Sequence, residues 1–174
     1  MLNPIEIKEC LDTLTIIVDT REQPTKAYKQ RLKDMGVPCI RKKLNFGDYS
    51  AFCVLPNGDE YTLKDAVCVE RKMSLDEICN CYCQGRKRFT KEFERAKEEN
   101  AKVYLLVENA TFEKVYDGDY RSKMQPQALI ASITAWLARY NCQLIFCRPK
   151  TSGRLIKEIL YREMKERLET DETL

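Results

Sequence analysis

The order of apolar and polar stretches predicts an α/β domain of three layers, a central mixed β-sheet flanked by helices. Three observations predict it. Short β-branched runs of strand length alternate with longer segments of helical period. An Asn-Gly pair sits between two strand-like runs, the strongest short hairpin signal. One run, Lys102 to Val107, is apolar without interruption, as expected of a strand buried on both faces. The 174 residues fit one domain, and a chain of this size buries ~70% of the surface its unfolded form exposes, so folding needs no metal or disulfide framework. The expected division is an N-terminal extension over 1–13, the domain over 14–168 and a polar tail over 169–174.

Leu14 to Val18 is a β-branched run that closes at Asp19-Thr20-Arg21-Glu22-Gln23-Pro24, so a core strand delivers acids at its end. Lys26 to Met35 has helix-forming composition and stops at Gly36, a left-handed cap. Val37 to Leu44 reads as a strand carrying Arg41, Lys42 and Lys43. The next strand begins at Phe46-Gly47-Asp48-Tyr49, runs to Leu55, turns at Asn57-Gly58 and returns through Glu60 to Leu63. Val67 to Lys72 is a strand whose last three residues are Glu70, Arg71 and Lys72. Ser74 and Glu77 form a capping box that starts a helix over Leu75 to Gln84. After the break at Gly85 a charged helix runs from Arg86 to Asn100, with Phe89, Phe93 and Ala96 on a narrow apolar stripe. Beyond Val107 come a short helix at Phe112 to Tyr116 and a polar loop to Gln125. Pro126 to Tyr140 is a helix whose stripe of Leu129, Ile133, Trp136, Leu137 and Tyr140 belongs to the core. Gln143 to Cys147 is the last strand and Gly153 to Leu168 the last helix.

The chemistry concentrates in the stretch from Val67 to Arg88. Glu70 and Lys72 are two apart on a strand, so they share a face, while Arg71 leaves on the other. One face thus offers a hard oxygen ligand beside a fixed cation. That pair suits metal-assisted phosphodiester hydrolysis, in which a carboxylate holds a divalent ion and a lysine orients water or offsets developing charge. The competing reading is an exposed strand end with solvated charges. If the strands starting at Asp48 and ending at Lys72 pair, Asp48 and Glu70 come within reach of one ion.

The totals narrow the classes. Net charge is +3 with 33% charged residues, so contact with nucleic acid must come from local clusters of bases. No segment is long and apolar enough for a membrane span, and the first residues lack the pattern of a signal peptide. Nine cysteines in a chain that folds without staples favour a reducing, cytoplasmic setting. Cys79, Cys81 and Cys83 raise a zinc reading, but only Cys79 and Cys83 share a helix face and there is no histidine, so reduced thiols compete with it.

Val18-Asp19-Thr20-Arg21-Glu22, then Gly47-Asp48, then Glu70-Arg71-Lys72 with Asp76, then Gly85-Arg86 together closely resemble the nuclease domain of the XPF family of structure-specific DNA endonucleases. The Glu-Arg-Lys-x-x-x-Asp string resembles that family's signature within the PD-(D/E)XK superfamily. The resemblance spans residues 14–168 and implies a restriction-endonuclease-like fold and a Mg²⁺ or Mn²⁺ cofactor. It implies Asp48 and Glu70 as the principal metal ligands, the Val69 carbonyl as a further oxygen, and Asp19 and Glu22 as additional acids that shape the site, Asp19 also reaching the metal. It implies Lys72 as the catalytic lysine, Arg71 and Asp76 as supports, and Arg86 beside the scissile phosphate. Independently, carboxylate and carbonyl oxygens favour Mg²⁺ or Mn²⁺ over zinc. A strand-end turn is the alternative for Asp19 and Glu22, and a structural salt bridge that for Asp76.

Arg41, Lys43, Arg71, Arg86 and Arg88 are the expected DNA contacts, with Lys87 and Lys91 divided between phosphate contact and a solvated helix face. Members of the XPF family usually carry a tandem helix-hairpin-helix module after the nuclease domain, so this chain resembles a stand-alone nuclease domain. Such domains pair with one another, which implies a homodimer through the Trp136 region and the last helix. The expected partner is branched DNA or a single-strand/double-strand junction. Two rival readings remain: a DNA-binding or scaffolding subunit without the chemistry, and a junction-resolving or restriction-like nuclease.

Overall fold

Seven strands make one mixed sheet in the structure, a computed structural model that describes residues 2–174. β1 (Thr15–Val18) lies parallel to β2 (Cys39–Arg41) and antiparallel to β3 (Tyr49–Val54). The Asn57-Gly58 turn returns β3 into β4 (Glu60–Thr62), and β3 also pairs antiparallel with β5 (Val67–Lys72). β5, β6 (Lys102–Glu108) and β7 (Cys142–Cys147) run parallel. The spatial order is β2-β1-β3-β5-β6-β7, with β4 beside β3.

Helices cover both faces. On one, α1 (Pro4–Asp12), α2 (Lys26–Met35) and α7 (Pro149–Thr170) bury Ile7, Leu11, Met35, Ile156 and Leu160 against Ile16, Val18, Tyr49, Val69 and Leu106. On the other, α3 (Leu75–Tyr82), α4 (Arg86–Glu98), α5 (Phe112–Asp117) and α6 (Pro126–Arg139) bury Ile78, Phe89, Phe93, Val115, Leu129 and Trp136 against Cys68, Val103, Leu105 and Val107. Alternation along β5 and β6 feeds the two cores in turn, which is why β6 carries no polar face. Trp136 is 2% exposed and ringed by Tyr82, Phe89, Phe93 and Tyr140. It is a core residue and presents nothing to a partner. Among the described residues no helix is long and apolar enough to cross a membrane.

The structure departs from expectation at both termini. The segment expected as an N-terminal extension folds as α1, with Asn3 accepting from the Ile5 and Glu6 amides, Glu6 returning the bond to the Asn3 amide, and Pro4 in the first turn. Three of its side chains, Ile7, Cys10 and Leu11, are buried. At the other end α7 starts at Pro149 and reaches Thr170, well outside Gly153 and Leu168. Gly153 lies within the helix because a Cβ there would stand 2.4 Å from the Arg31 carbonyl oxygen, where α2 and α7 cross. Two strands are shorter than expected. The Val37 to Leu44 run forms a strand only over Cys39–Arg41, and Phe46-Gly47-Asp48 is a loop leading into β3.

Candidate active site

The loop before β3 places the central acid. Gly47 has φ +73, and a Cβ there would lie 2.6 Å from Cys68 Cβ and Sγ, so only glycine lets the chain pass this closely over β5. The next residue, Asp48, is stitched to both neighbouring strands. Its carbonyl accepts from the Asp19 amide at 2.8 Å and its amide donates to the Val69 carbonyl at 2.9 Å. Its side-chain Oδ2 accepts from the Arg71 amide at 2.8 Å. The ends of β1, β3 and β5 thus meet at one point.

Side-chain alternation along β5 does the rest. Glu70 is 3% exposed, and its Oε1 accepts from Lys72 Nζ at 2.5 Å on the α3–α4 side of the sheet. Arg71 points to the opposite side and donates to Glu108 Oε2 at 3.0 Å. Lys72 lines a cleft of about 190 Å³ with Glu77, Asn80, Cys81, Gly85, Arg88, Phe89 and Glu92. Ser74 caps α3 by accepting from the Glu77 amide, while the Glu77 carboxylate takes the Met73 amide at 2.7 Å, one residue earlier than a capping box requires.

Burial and the nearby charge of Glu70 push the Asp48 carboxyl well above the usual carboxylate range, against the pull of Lys72. Glu70 is raised as well, by burial and by Glu92, with Lys72 opposing. Lys72 is raised too: burial works against its charge, and Glu70 and Asp48 more than offset that. The ammonium is therefore held in its charged form, as a donor to Glu70.

Asp19 is different. Its Oδ1 accepts from the Arg21 amide at 2.9 Å and Arg21 Nε at 2.6 Å, and its Oδ2 from the Leu44 amide at 2.7 Å. Burial would raise its pKa, but these bonds win and hold it below the usual range. Its oxygens are occupied in organising the turn, and the structure gives no support to the metal role expected of it. Glu22 accepts from the Tyr49 hydroxyl at 2.8 Å and lies 3.6 Å from Arg31 Nη2. Asp76 accepts from the Arg121 and Ser122 amides, each at 2.8 Å, and so pins the loop before α6 to the start of α3, a structural task.

Of the expected DNA contacts, Arg88 faces the Lys72 cleft, and it also lines a shallow basic surface with Arg21, Lys87, Lys91 and Arg95. Arg86 and Lys43 are exposed. Arg71 and Arg41 are engaged within the chain, Arg41 while remaining exposed. The first is paired with Glu108, and the second donates to the Thr20 and Glu22 carbonyls at 2.6 and 3.1 Å. Sequence reasoning missed Glu92, Arg31 and Glu108, each less than 10% exposed. Glu92 accepts from Arg21 Nη1 at 2.7 Å. Its place within the apolar stripe between Phe89 and Phe93 was the available signal.

The donor set fits a hard divalent cation: two carboxylates with raised proton affinity, beside main-chain oxygen and without histidine. Among the described residues no three His, Cys, Asp or Glu side chains are grouped to hold a metal by themselves. The Val69 carbonyl already accepts the Asp48 amide. The Arg71 amide points at Asp48, and the N–H and C=O of one strand residue project to the same side, so the Arg71 carbonyl lies on the site's edge. All nine cysteines are free, Cys79 buried and Cys83 exposed.

The sequence model of the family described as ERCC4 domain matches residues 18–159. Among solved structures, XPF from Aeropyrum pernix is similar with a TM-score of 0.59 and 25% identity, over 91% of this chain. XPF from Aeropyrum pernix in complex with DNA is similar with a TM-score of 0.59 and 25% identity, over 87% of this chain. The chain spans 63% and 65% of those two chains, less than two thirds of each. No curated protein matches it.

Proposed function

The chain belongs to the ERCC4 domain family, and from that premise we propose that it is a Mg²⁺- or Mn²⁺-dependent endonuclease that hydrolyses phosphodiester bonds in branched or flapped DNA. The single observation that carries this reading is the Lys72 ammonium 2.5 Å from Glu70, on the strand whose Arg71 amide anchors the Asp48 carboxylate. Asp48 and Glu70, with the Arg71 carbonyl, would hold the ion. A divalent cation bound there supplies Lewis-acid activation of water and neutralises charge on the phosphate.

The chain's own residues do the remaining work. Lys72, charged and half-buried beside Phe89, presents a donor to the attacking water or to a phosphate oxygen. Arg88 at the mouth of the cleft, with Lys87 and Lys91 on the same helix, receives the DNA backbone. Arg86, exposed at the first turn of α4, is a further phosphate contact. The short span from Lys72 to this basic surface supports a substrate whose strand passes over α4. The similarity to an XPF structure complexed with DNA supports DNA as the partner. A reducing compartment suits nine free cysteines, and homodimer formation is part of the same proposal.

The test is cleavage of labelled flap, fork, junction and plain duplex DNA with and without Mg²⁺ or Mn²⁺. Cutting of branched substrates only with metal is expected; no cutting of any substrate with either ion would remove the proposal and leave a scaffolding role.

A further inference from the structure

On the face of the sheet away from Lys72, four charged side chains form a chain of three ion pairs. Arg31, from the middle of α2, is 5% exposed. Its Nε donates to the Tyr49 hydroxyl at 2.9 Å, and that hydroxyl donates to Glu22 Oε2 at 2.8 Å. The same guanidinium stands 3.6 Å from Glu22 Oε2 through Nη2 and 3.5 Å from Glu108 Oε1 through Nη1. Glu108 in turn pairs with Arg71 at 3.0 Å. Two carboxylates and two guanidiniums balance, with Arg31 and Glu108 buried and Glu22 and Arg71 half-buried. The pairs run from Glu22, beside Arg31, to Arg71, whose amide holds Asp48. Glu22's amide donates to the Asp19 carbonyl at 3.1 Å and Asp19's amide to the Asp48 carbonyl at 2.8 Å, which ties the turn that carries Glu22 to the loop that carries Asp48.

We propose that Arg31 is a positioning residue. Through the Tyr49 hydroxyl it fixes the Glu22 carboxylate at the edge of the active site, and through Glu108 it couples that hold to the strand that anchors Asp48. A purely structural fastening of α2 would not need this geometry. Tyr49 sits in the apolar core with its hydroxyl as the sole polar handle, and that handle is spent on linking Arg31 to Glu22. A planar guanidinium can hydrogen-bond the Tyr49 hydroxyl through Nε while its two terminal nitrogens stay within 3.6 Å of two carboxylates, a spread of positive charge an ammonium cannot match from the same position. The inference rests on the nuclease reading, since it gives Glu22 a task in the site.

The test is a mutant cycle on the full chain with two readouts, single-turnover cleavage of flap DNA and Mn²⁺ affinity measured by electron paramagnetic resonance. Removing all charge at Arg31 leaves the buried Glu108 with Arg71 as its one cation and unbalances the group, so Arg31→Lys, which keeps the charge, and Tyr49→Phe, which keeps the ring, carry the experiment. Each should slow cleavage or weaken Mn²⁺ binding by about 10- to 100-fold, the range for partners that orient ligands. Glu22→Gln should cost at least as much, and adding Arg31→Lys to it should cost less than about two-fold more, since the two act as one unit. Losses that multiply in the double variant, or a wild-type rate in Arg31→Lys, would overturn the positioning role while leaving the nuclease reading intact. A wild-type chain that neither binds Mn²⁺ nor cuts DNA would overturn both.

Discussion

Asp19 and Asp48 stand at the ends of adjacent strands, joined by one backbone hydrogen bond of 2.8 Å, and yet their carboxyls are shifted in opposite directions. Asp19 is fully buried and receives three donors, two of them from Arg21. Asp48 receives one amide and faces the charge of Glu70. The difference teaches how two identical side chains at a sheet tip divide labour. An acid supplied with three donors serves as an anchor, and an acid left short of donors beside another acid has oxygen free for the cation proposed above.

The sharpest way to break that comparison is to neutralise each acid in turn. Asp48→Asn should reduce cleavage by more than about 100-fold, beyond the cost of losing an outer-shell partner, while DNA binding persists and the metal-free melting temperature holds or rises. Lys72→Met should slow cleavage by about 10² to 10³-fold, the cost of one donor aimed at developing charge, and a pre-steady-state assay would read it. Asp19→Asn should instead destabilise the fold by about 1–3 kcal/mol, the cost of leaving buried donors unpaired, which is roughly 2–12 °C in melting temperature at this chain length.

The same contrast has a pH signature. Asp19's folded pKa is lowered, so its stabilisation is present above its unfolded pKa of about 4 and is lost as pH falls through the lower folded value. Asp48 and Glu70 have raised folded values, so in metal-free protein their contribution is full at acid pH and is lost as pH rises through those values. Melting curves against pH should show Asp19→Asn converging on wild type in acid, and Asp48→Asn should flatten the loss on the alkaline side. The smallest effect expected is on the basic surface: Arg88→Ala or Lys91→Ala should each lower the salt slope of DNA binding by about 0.9, the contribution of one phosphate contact. An unchanged slope would move the DNA path off α4.

The site's centre was legible because it depends on local rules. Period-two alternation is enough to put Glu70 and Lys72 together and send Arg71 the other way, and the Asn-Gly turn brings Asp48 back beside β5. What stayed hidden depends on distant partners. Arg21 meets Glu92 across 71 residues, a pairing no local pattern gives, although the place of Glu92 between Phe89 and Phe93 marks it as inward-facing. Arg31 looks like one more base on a charged helix until the fold sets it against Tyr49, Glu22 and Glu108. α1 was legible and overlooked: Asn-Pro-Ile-Glu carries an N-cap, a first-turn proline and the reciprocal glutamate. Gly153 misled in the other direction, since its role is close packing on α2 and not a helix start.

The central claim is that Asp48 and Glu70 jointly hold a divalent cation, and thermal melting of wild type and Asp48→Asn with and without Mn²⁺ tests it without any substrate. Ion at about 100 times its dissociation constant stabilises a folded protein by about 2.7 kcal/mol, so wild type should melt roughly 5–11 °C higher with Mn²⁺ and Asp48→Asn should show almost none of that rise. An equal rise in both proteins, or none in wild type, would contradict the account.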